Sequence, residues 1–200
     1  MINIVLATRN KNKIREFKVL FDDVADLDVN VLSLDDIGFY GDIEEGGETF
    51  EENAIIKASV ASKMGYIGIA DDSGLCVDAL GGAPGVYSAR FSGGNDEDNN
   101  DLLLEKLNGK ENRNAKYVCA IACVFPDHLN DFVVSGECHG QILEKRHGTG
   151  GFGYDPLFYF PEFDKTFAEI DLSEKNKVSH RAIALRALVE KLKKVLPNDK

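Results

Sequence analysis

The hydrophobic positions along the chain fall into short continuous runs and into helically spaced sets, which predicts a mixture of strands and helices. Short apolar runs bounded by polar or glycine-rich turns are typical of buried strands. The segment PDHLND separates two of the longer runs and predicts a hairpin turn between them. The predicted strands are residues 2–7, 29–34, 67–70, 117–125, 132–138 and 157–160.

Other segments carry apolar residues at helical spacing. Thr49 and Glu52 form a capping-box pattern, so a helix is expected to begin there and to continue to about Met64. In the last predicted helix, Arg181 and the leucines that follow it step by four, three and four residues and form one inward-facing stripe. The predicted helices are residues 11–21, 49–64, a segment around 102–107 that ends at Gly109, and 179–196.

The order of these elements predicts one α/β domain over residues 1–200, built on a mixed sheet. No internal repeat, linker or low-complexity tract indicates a domain boundary. A chain of 200 residues buries about 70 % of the surface of its unfolded form, which is enough for a core without disulfides. The hydrophobic content of 44 % and the charged content of 28 % are ordinary for a globular protein.

Composition and charge exclude several classes of function. No apolar run approaches the ~18 residues of a membrane span, and the short apolar N-terminus turns basic, the reverse of a signal peptide. The formal net charge is −11, so the chain lacks the basic excess that non-specific nucleic-acid binding requires. We therefore expect neither a membrane nor a nucleic-acid partner. An anionic small ligand would need a local basic pocket or a bridging cation.

The four cysteines contain no CxxC pair. Cys119 and Cys123 lie in one predicted strand, where four residues span about 13 Å, which is too far for a disulfide. We expect all four cysteines, which include Cys76 and Cys138, to be reduced core thiols in a cytoplasmic protein without zinc.

Two basic helix starts are candidate phosphate sites, because a helix N-terminus presents free N–H groups and partial positive charge. The first follows the sequence TRNKNK at 8–13, and the second follows Ser179, with Lys175 and Lys177 just upstream. The alternative for each is a polar helix start with solvated basic residues, which is common on surfaces.

Lys57 falls in the middle of the inward stripe of the helix predicted at 49–64, with Asn53 beside it. An inward lysine needs a partner of opposite charge. Lys57 therefore either forms a buried ion pair or points at an anionic ligand.

Asp71 and Asp72 follow the apolar run 67–70, and the ends of strands are where α/β sheets bind ligands. Two neighbouring carboxylates perturb one another, which suits one as a metal ligand and the other as a base. Glu44 and Glu45 offer a third carboxylate for a hard cation such as Mg²⁺. The alternative is a DDSG turn without chemistry.

The sequence GTGGFGYDP at 148–156 formally matches GxGxxG, but a strand-like run follows it, whereas the dinucleotide fingerprint opens a helix. The dinucleotide interpretation is therefore rejected. Phe152, flanked by glycines, can expose its ring to a planar base, and the alternative is a turn that tucks this ring into the core. The chain also lacks the Walker A, GxSxG and HExxH patterns, which disfavours P-loop enzymes, α/β-hydrolases and zincins.

Five segments carry these candidate residues: LATRNKNKIREF at 6–17, ETFEENAIIKA at 48–58, IADDSGLCVDALGGAPGVYSARFSG at 69–93, GTGGFGYDPLF at 148–158 and SEKNKVSHR at 173–181. In this order they resemble the motifs of the inosine triphosphate pyrophosphatases. That family hydrolyses deaminated purine nucleoside triphosphates (ITP, dITP and XTP) to the monophosphate and pyrophosphate. The match runs along nearly the whole chain, and five ordered motifs are highly specific.

The resemblance implies an elongated mixed β-sheet that separates two α/β lobes of one domain, with the active site in the cleft between them, and a homodimer. It implies a Mg²⁺-dependent reaction in which Asp72 activates water while Glu45 and Asp71 hold the metal. The phosphates would be bound by Thr8, Asn10, Lys13, Lys57 and Lys175. The purine would be bound by Ser73, Phe152, Gly153, Tyr154, Asp155, Ser179, His180 and Arg181.

The implied substrates share a carbonyl at C6 of the purine, where adenine carries an amine. A donor such as Arg181 or a backbone N–H would bind that carbonyl and would be left unpaired by the amine of ATP. Guanine shares the carbonyl, so rejection of GTP needs a further contact near C2.

Two positions depart from the family pattern. The common T-G-N is Thr8-Arg9-Asn10 here, so Arg9 would add a phosphate contact or point to solvent. The common E-T-G is Glu45-Gly46-Gly47, which removes a hydroxyl beside an expected metal ligand. The alternatives to the family function are a Maf-like pyrophosphatase with another base choice, a nucleotide sensor without turnover, and a domain whose charged motifs are only structural.

Overall fold

The computed structural model describes residues 2–11, 13–15, 17–18 and 29–196. The strands are β1 (Ile2–Leu6), β2 (Val29–Ser33), β3 (Ile67–Val77), β4 (Asn114–Val124), β5 (Phe132–Ile142), β6 (Phe158–Phe160) and β7 (Lys165–Thr166). The α-helices with defined bounds are α1 (Phe50–Lys63), α2 (Asp96–Lys106), α3 (Leu172–Val178) and α4 (His180–Val195). Two short 3₁₀ helices, Asp78–Leu80 and Gly85–Arg90, follow β3.

The strands form one mixed sheet in the order β2-β1-β3-β4-β5-β6-β7. Strand β1 pairs in parallel with β2 and β3, whereas β6 pairs antiparallel with β5 and β7. Strand β1 lies between β2 and β3, and α1 belongs to the connection that leads from β2 past β1 to β3. The predicted α/β class with a mixed sheet is confirmed.

The chain divides into two compact units. The first unit comprises Met1–Asp72, Cys119–Gly136 and Arg181–Lys200, and the second comprises Ser73–Val118 and Glu137–His180. Each unit has its own hydrophobic core. Each therefore has the packing that holds functional side chains in fixed positions.

The core of the first unit contains apolar residues of β1, β3, β4 and α4. Arg181, Leu185, Leu188 and Leu192 are all buried, so the predicted inward stripe of α4 is confirmed. The core of the second unit includes a cluster of aromatic rings, formed by Tyr117, Phe158, Phe160 and Phe167.

Helix α1 begins where its sequence predicts. The hydroxyl of Thr49 accepts the N–H of Glu52 at 3.1 Å, and the carboxylate of Glu52 accepts the N–H of Thr49 at 3.2 Å, which completes the capping box. At Gly68 of β3, a Cβ atom would collide with the carbonyl oxygen of Ala58. This glycine therefore lets α1 lie directly against β3.

Several strands are longer than predicted. Strand β3 continues through the DDSG sequence to Val77, so the interpretation of that sequence as a turn is wrong. Asp71 and Asp72 lie inside the strand rather than at its end, because buried cations compensate their charges (described below). Strand β5 extends to Ile142, where buried and exposed residues alternate along it.

Short elements escaped prediction because they contain too few residues to show a period. They are α3, β7 and the two 3₁₀ helices. The helix expected to continue to about Met64 ends at Lys63, and Met64 forms its C-cap with 41 % of the residue exposed. At the start of the chain, residues 11, 13–15, 17 and 18 are helical as predicted, and residues 12, 16 and 19–21 of that prediction lie outside the described residues. No helix in the described ranges combines the length and apolar character needed to cross a membrane.

The four cysteines are free thiols. Cys119, Cys123 and Cys138 are buried, and burial raises the pKa of each thiol to about 12. Cys76 is only half-buried, so the expectation of a core thiol is wrong at this position.

The capping box of α1 gives a first prediction. Thr49→Ala removes the hydroxyl that accepts the N–H of Glu52 and should lower the free energy of unfolding by about 1 kcal/mol. Urea denaturation followed by circular dichroism measures this loss. Thr49→Ser is the matched control, because it keeps the hydroxyl, and an equal loss in both variants would contradict the capping role.

Candidate functional site

Two carboxylates of the first unit meet the side chain of Lys57, which α1 directs inward. The Lys57 Nζ lies 2.8 Å from Asp72 Oδ1 of β3 and 2.9 Å from Glu45 Oε2 of the preceding loop. We call Lys57, Asp72 and Glu45 the lysine–carboxylate cluster. The prediction of an inward lysine is confirmed, and of its two interpretations the structure contains the buried ion pair.

Asn53, one helical turn before Lys57, ties the cluster to its loop. Its side-chain oxygen accepts the N–H of Gly47 at 2.8 Å, and its amide nitrogen donates to the carbonyl of Gly47 at 3.3 Å and to Asp72 Oδ2 at 3.4 Å. Asn53 is 1 % exposed. The sequence indicated that this residue faces inward, but no motif assigned it a role.

Asp71 forms a second group of charges beside the first. Its Oδ2 lies 3.1 Å from Lys13 Nζ and 3.4 Å from the Arg181 guanidinium of α4. Successive side chains of a strand point to opposite faces, so Asp71 and Asp72 meet different partners. The carboxylate of Asp71 and the guanidinium of Arg181 are both buried, at 2 % exposure each.

The surroundings of Asp71 and Asp72 shift the pKa values of their carboxyl groups in opposite directions. Burial raises the pKa of Asp72, and the ion pair with Lys57 does not fully offset it. Burial opposes the charge of Lys57, but its paired carboxylates outweigh it and raise the pKa of the ammonium. Burial also opposes ionisation of Asp71, but Lys13 and Arg181 outweigh it and hold the pKa of this carboxyl well below its ordinary value. Asp72 is thus the better proton acceptor, and Asp71 stays ionised.

The turn after β1 is organised by its own side chains. The hydroxyl of Thr8 accepts the N–H of Asn10 at 3.2 Å, and Asn10 Oδ1 accepts the N–H of Lys13 at 3.2 Å. These bonds satisfy backbone donors at the start of the helical segment. Of the residues predicted to bind phosphate, Lys13 and Lys57 both belong to the charged groups around β3.

Arg9 anchors a loop. Its guanidinium donates to the carbonyl oxygens of Phe39 at 2.9 Å and Gly41 at 2.8 Å, and two aspartates lie 3.8 Å away. These contacts hold the Arg9 side chain to the protein itself while the residue stays exposed, and its phosphate contact stays a prediction. At Gly46, the second departure from the family pattern, a Cβ atom would meet nothing within 4 Å, so packing does not require a glycine there.

The second unit holds another buried ion pair, between Lys175 of α3 and Asp155. Lys175 Nζ lies 2.7 Å from Asp155 Oδ2, which also accepts the N–H of Phe152 at 2.9 Å. The same ammonium lies 4.9 Å from the centre of the Phe152 ring and 5.4 Å from that of Phe167. Phe152 is half-buried, so it is not fully enclosed in the core. We call Lys175, Asp155 and Phe152 the Phe152 cluster.

Glycine is required within this loop. At Gly151, φ is +71° and a Cβ atom would collide with the carboxylate of Asp155. A side chain there would push apart the loop and the carboxylate that holds it. Gly148 and Gly151 therefore serve close packing, in agreement with the rejection of a dinucleotide site.

The remaining predicted purine residues occupy different surroundings. The ring of His180 stacks on that of Tyr117 at 4.7 Å, and the hydroxyl of Tyr117 donates to Asp155 at 3.3 Å. Ser179 ends α3, and its N–H donates to the carbonyl of Lys175 at 2.9 Å. Tyr117 was missed because a tyrosine in an apolar strand carries no motif. Three further predicted residues belong to the second unit: Ser73, which is half-buried; Gly153; and Tyr154, whose buried hydroxyl donates to Ser88.

The lysine–carboxylate cluster also fits a hard cation. Within the described ranges, no three or more His, Cys, Asp or Glu side chains are gathered as a metal cage. Mg²⁺ does not need one, since it is commonly bound by one or two carboxylates together with water and substrate phosphates. Glu45 of this cluster and Asp71 beside it each face a cation of the protein already, and their carboxylate oxygens are donors of the kind that Mg²⁺ prefers.

Known proteins resemble this chain over nearly its full length. The model of the Ham1 family matches residues 4–191. A dITP/XTP pyrophosphatase of Bacillus anthracis is 50 % identical over 198 residues, which are 96 % of this chain and 96 % of that protein. A Ham1 protein of Staphylococcus aureus is 42 % identical with a TM-score of 0.86, covering 96 % of this chain and 98 % of its own. A HAM1 protein of Coxiella burnetii is 39 % identical with a TM-score of 0.89, covering 98 % and 100 %.

The opposite shifts of Asp71 and Asp72 predict opposite pH dependences of stability. The depressed pKa of Asp71 stabilises the fold above pH 3.8, the ordinary value, and this contribution is lost as the pH falls below it. The stability difference between the wild type and Asp71→Asn should therefore shrink between about pH 5 and about pH 3. Urea midpoints across that range measure it.

Asp72→Asn is the matched control for this measurement. The raised pKa of Asp72 means that the folded protein takes up the proton more tightly than the unfolded chain. The wild type should therefore gain stability relative to Asp72→Asn as the pH falls toward 3.8. Slopes of the same sign in the two variants would contradict the assigned environments.

Proposed function

This chain belongs to the Ham1 family, and we propose that it hydrolyses the deaminated purine nucleoside triphosphates ITP, dITP and XTP to the monophosphate and pyrophosphate. Relatives that are 50 % identical to this chain are named dITP/XTP pyrophosphatases. The chain is accordingly a nucleoside triphosphate pyrophosphatase. The observation that carries the proposal for this chain is the lysine–carboxylate cluster on β3. It combines a buried cation for phosphate with a carboxylate of raised proton affinity.

The triphosphate is bound by the basic residues of the first unit. Lys13 and Lys57 supply positive charge, and Thr8 and Asn10 supply polar groups at the turn after β1. Pyrophosphate release depends mainly on positioning and on stabilising negative charge, so fixed lysines are suitable machinery. Each lysine is already held at a carboxylate, which orders its side chain before the phosphate arrives.

Glu45 and Asp71 would hold Mg²⁺. Glu45 is the more exposed carboxylate of its pair, with 34 % of its side chain accessible. Lys13 and Arg181 orient Asp71, which is the support that a ligating carboxylate needs. Mg²⁺, when bound, neutralises charge that develops on the phosphate oxygens.

Asp72 is the general base. It takes a proton from the attacking water, the water oxygen bonds to phosphorus, and the bond to the departing pyrophosphate breaks. Burial raises its pKa, which makes it a stronger base than an exposed aspartate and still leaves Lys57 beside it as a counter-charge. Asn53 donates to its other oxygen and fixes the direction of the carboxylate.

The purine is bound by residues of the second unit. Phe152 stacks on the base, and Lys175 contacts that ring as well as Asp155 and the ring of Phe167. The predicted contact of Lys175 with the phosphates stays a prediction. Stacking accepts any base, so discrimination needs donors for the C6 carbonyl. His180 and Arg181 remain the candidates for that role, with Ser73, Gly153, Tyr154 and Ser179 as further predicted contacts.

Several expectations stay predictions. They are the cytoplasmic location, the homodimer, the absence of nucleic-acid and membrane partners, and the single two-lobed domain over residues 1–200. The Ham1 match over residues 4–191 favours the purine pyrophosphatase over the Maf-like alternative. A sensor without turnover differs from the enzyme only in releasing no pyrophosphate.

Pyrophosphate release with Mg²⁺ tests the proposal directly. ITP, dITP and XTP should be turned over, and kcat/KM for ATP should be lower by roughly 10⁴-fold, because a donor placed for the carbonyl is left unpaired. GTP should also be slower, and dTTP and UTP test the Maf-like alternative. Turnover that is equal for all nucleotides, or absent, would contradict the proposed substrate class.

Asp72→Asn tests the base in the same assay. This variant should lower kcat by about 10²–10⁴-fold, the usual contribution of a general base, while binding of ITP changes little. Asp71→Asn is the comparison, since loss of a metal ligand should be partly restored by raising the Mg²⁺ concentration. Full activity of Asp72→Asn would contradict the assignment of Asp72 as the general base.

A further inference from the structure

Two side chains of helix α2 hold Gly153, the residue after Phe152, one through its N–H and the other through its carbonyl. The N–H of Gly153 donates to Asp96 Oδ2 at 2.8 Å, and the carbonyl of Gly153 accepts from Asn100 Nδ2 at 2.9 Å. Asp96 and Asn100 are four residues apart and therefore lie on one face of the helix. No sequence motif pointed to either residue.

Asn100 is built into the core to make this contact. It is completely buried, and its amide nitrogen also donates to the carbonyl of Asp96 at 2.9 Å. Both of its partners are carbonyl oxygens, so the nitrogen must face them and the orientation of the amide is fixed. Within the part of the chain that the structure describes, its Oδ1 is buried without a hydrogen-bond partner. An unsatisfied buried acceptor costs stability, so the amide is a poor choice for folding alone.

The helix that carries these side chains is itself firmly fixed. Asn95 and Asp98 form a capping box at its N-terminus. Arg146 forms ion pairs with Glu97 at 3.0 Å and with Asp101 at 2.7 Å on its exposed side. Gly153 is thus attached to a rigid element, whereas the preceding loop is rich in glycine and has little stiffness of its own.

We propose that Asp96 and Asn100 are positioning residues that present the ring of Phe152 to the purine in one orientation. Asp155 fixes the N–H of Phe152, and α2 fixes the N–H and the carbonyl of Gly153, so the backbone is held on both sides of the ring. The role rests on the proposed function, in which Phe152 stacks on the base. Neither residue needs to contact the nucleotide.

The first arm of the test measures the mobility of the ring position without any nucleotide. The chain contains no tryptophan, so Phe152→Trp introduces a single indole, which can be excited selectively at wavelengths where the six tyrosines absorb little. Adding Asn100→Ala or Asp96→Ala to this variant should lower the fluorescence anisotropy of the indole and increase its quenching by acrylamide. The matched controls Asn99→Ala and Asp101→Ala should leave both values unchanged.

The controls share the helix and the exposure of the residues that they match. Asn99 is 2 % exposed, but it bonds to Ser92 at 2.7–2.8 Å and to the carbonyl of Ala89 at 3.3 Å. Asp101 is exposed like Asp96 and bonds to Arg146. Equal loosening by a control and by its partner would overturn the proposal, since the effect would then come from the helix as a whole. Because Asp96 is exposed, Asp96→Ala keeps the test valid even where Asn100→Ala does not fold.

The second arm measures steady-state kinetics with Phe152 in place. Asp96→Ala and Asn100→Ala should raise KM for ITP by about ten- to a hundredfold with little change in kcat, and should narrow the ratio of kcat/KM between ITP and GTP. Asp101→Ala should change neither. A fall in kcat with unchanged KM and an unchanged ratio would overturn the positioning role. If the unsubstituted chain releases no pyrophosphate, the proposed function fails, and the mobility arm alone decides whether α2 anchors the loop.

Discussion

The burial of two adjacent carboxylates in β3 is the constraint on which the first unit depends. An isolated carboxylate inside a protein is very costly, so Asp71 and Asp72 each require a cation at short range. Those cations come from distant parts of the chain: Lys13 follows β1, Lys57 lies on α1, and Arg181 lies in the first turn of α4. The close approach of α1 to β3 at Gly68 is part of the same solution, because it brings the helix that carries Lys57 within reach.

This arrangement also gives two like residues different properties. One aspartate is surrounded by two cations and keeps its charge, while its neighbour shares one cation with Glu45 and binds a proton more readily. A strand achieves this separation simply because its successive side chains face opposite sides. Chemically identical groups can therefore serve as ligand and base without any difference in sequence between them.

The sequence allowed much of this to be predicted. Periodicity and a capping box located α1, and a helical wheel placed Lys57, Asn53 and Arg181 on buried faces. The partners of these residues could not be predicted, since Arg181 and Asp71 are separated by 110 positions and only the fold brings them together. The turn propensity of DDSG was misleading for the same reason, because tertiary ion pairs override local preference. No sequence pattern pointed to Asp96 and Asn100, because their role depends on a loop more than 50 residues away in the chain.

The buried thiols have a consequence for how the protein opens. Cys119 and Cys123 lie in the core of the first unit and Cys138 in that of the second. Their high pKa leaves almost no thiolate at neutral pH, so they resist alkylation as long as each core is closed, whereas Cys76 is only half-buried. A thiol reagent thus distinguishes this half-buried cysteine from three that react only after local unfolding. The rate at which each buried thiol reacts therefore reports how often its core opens, and no label has to be added to the sequence.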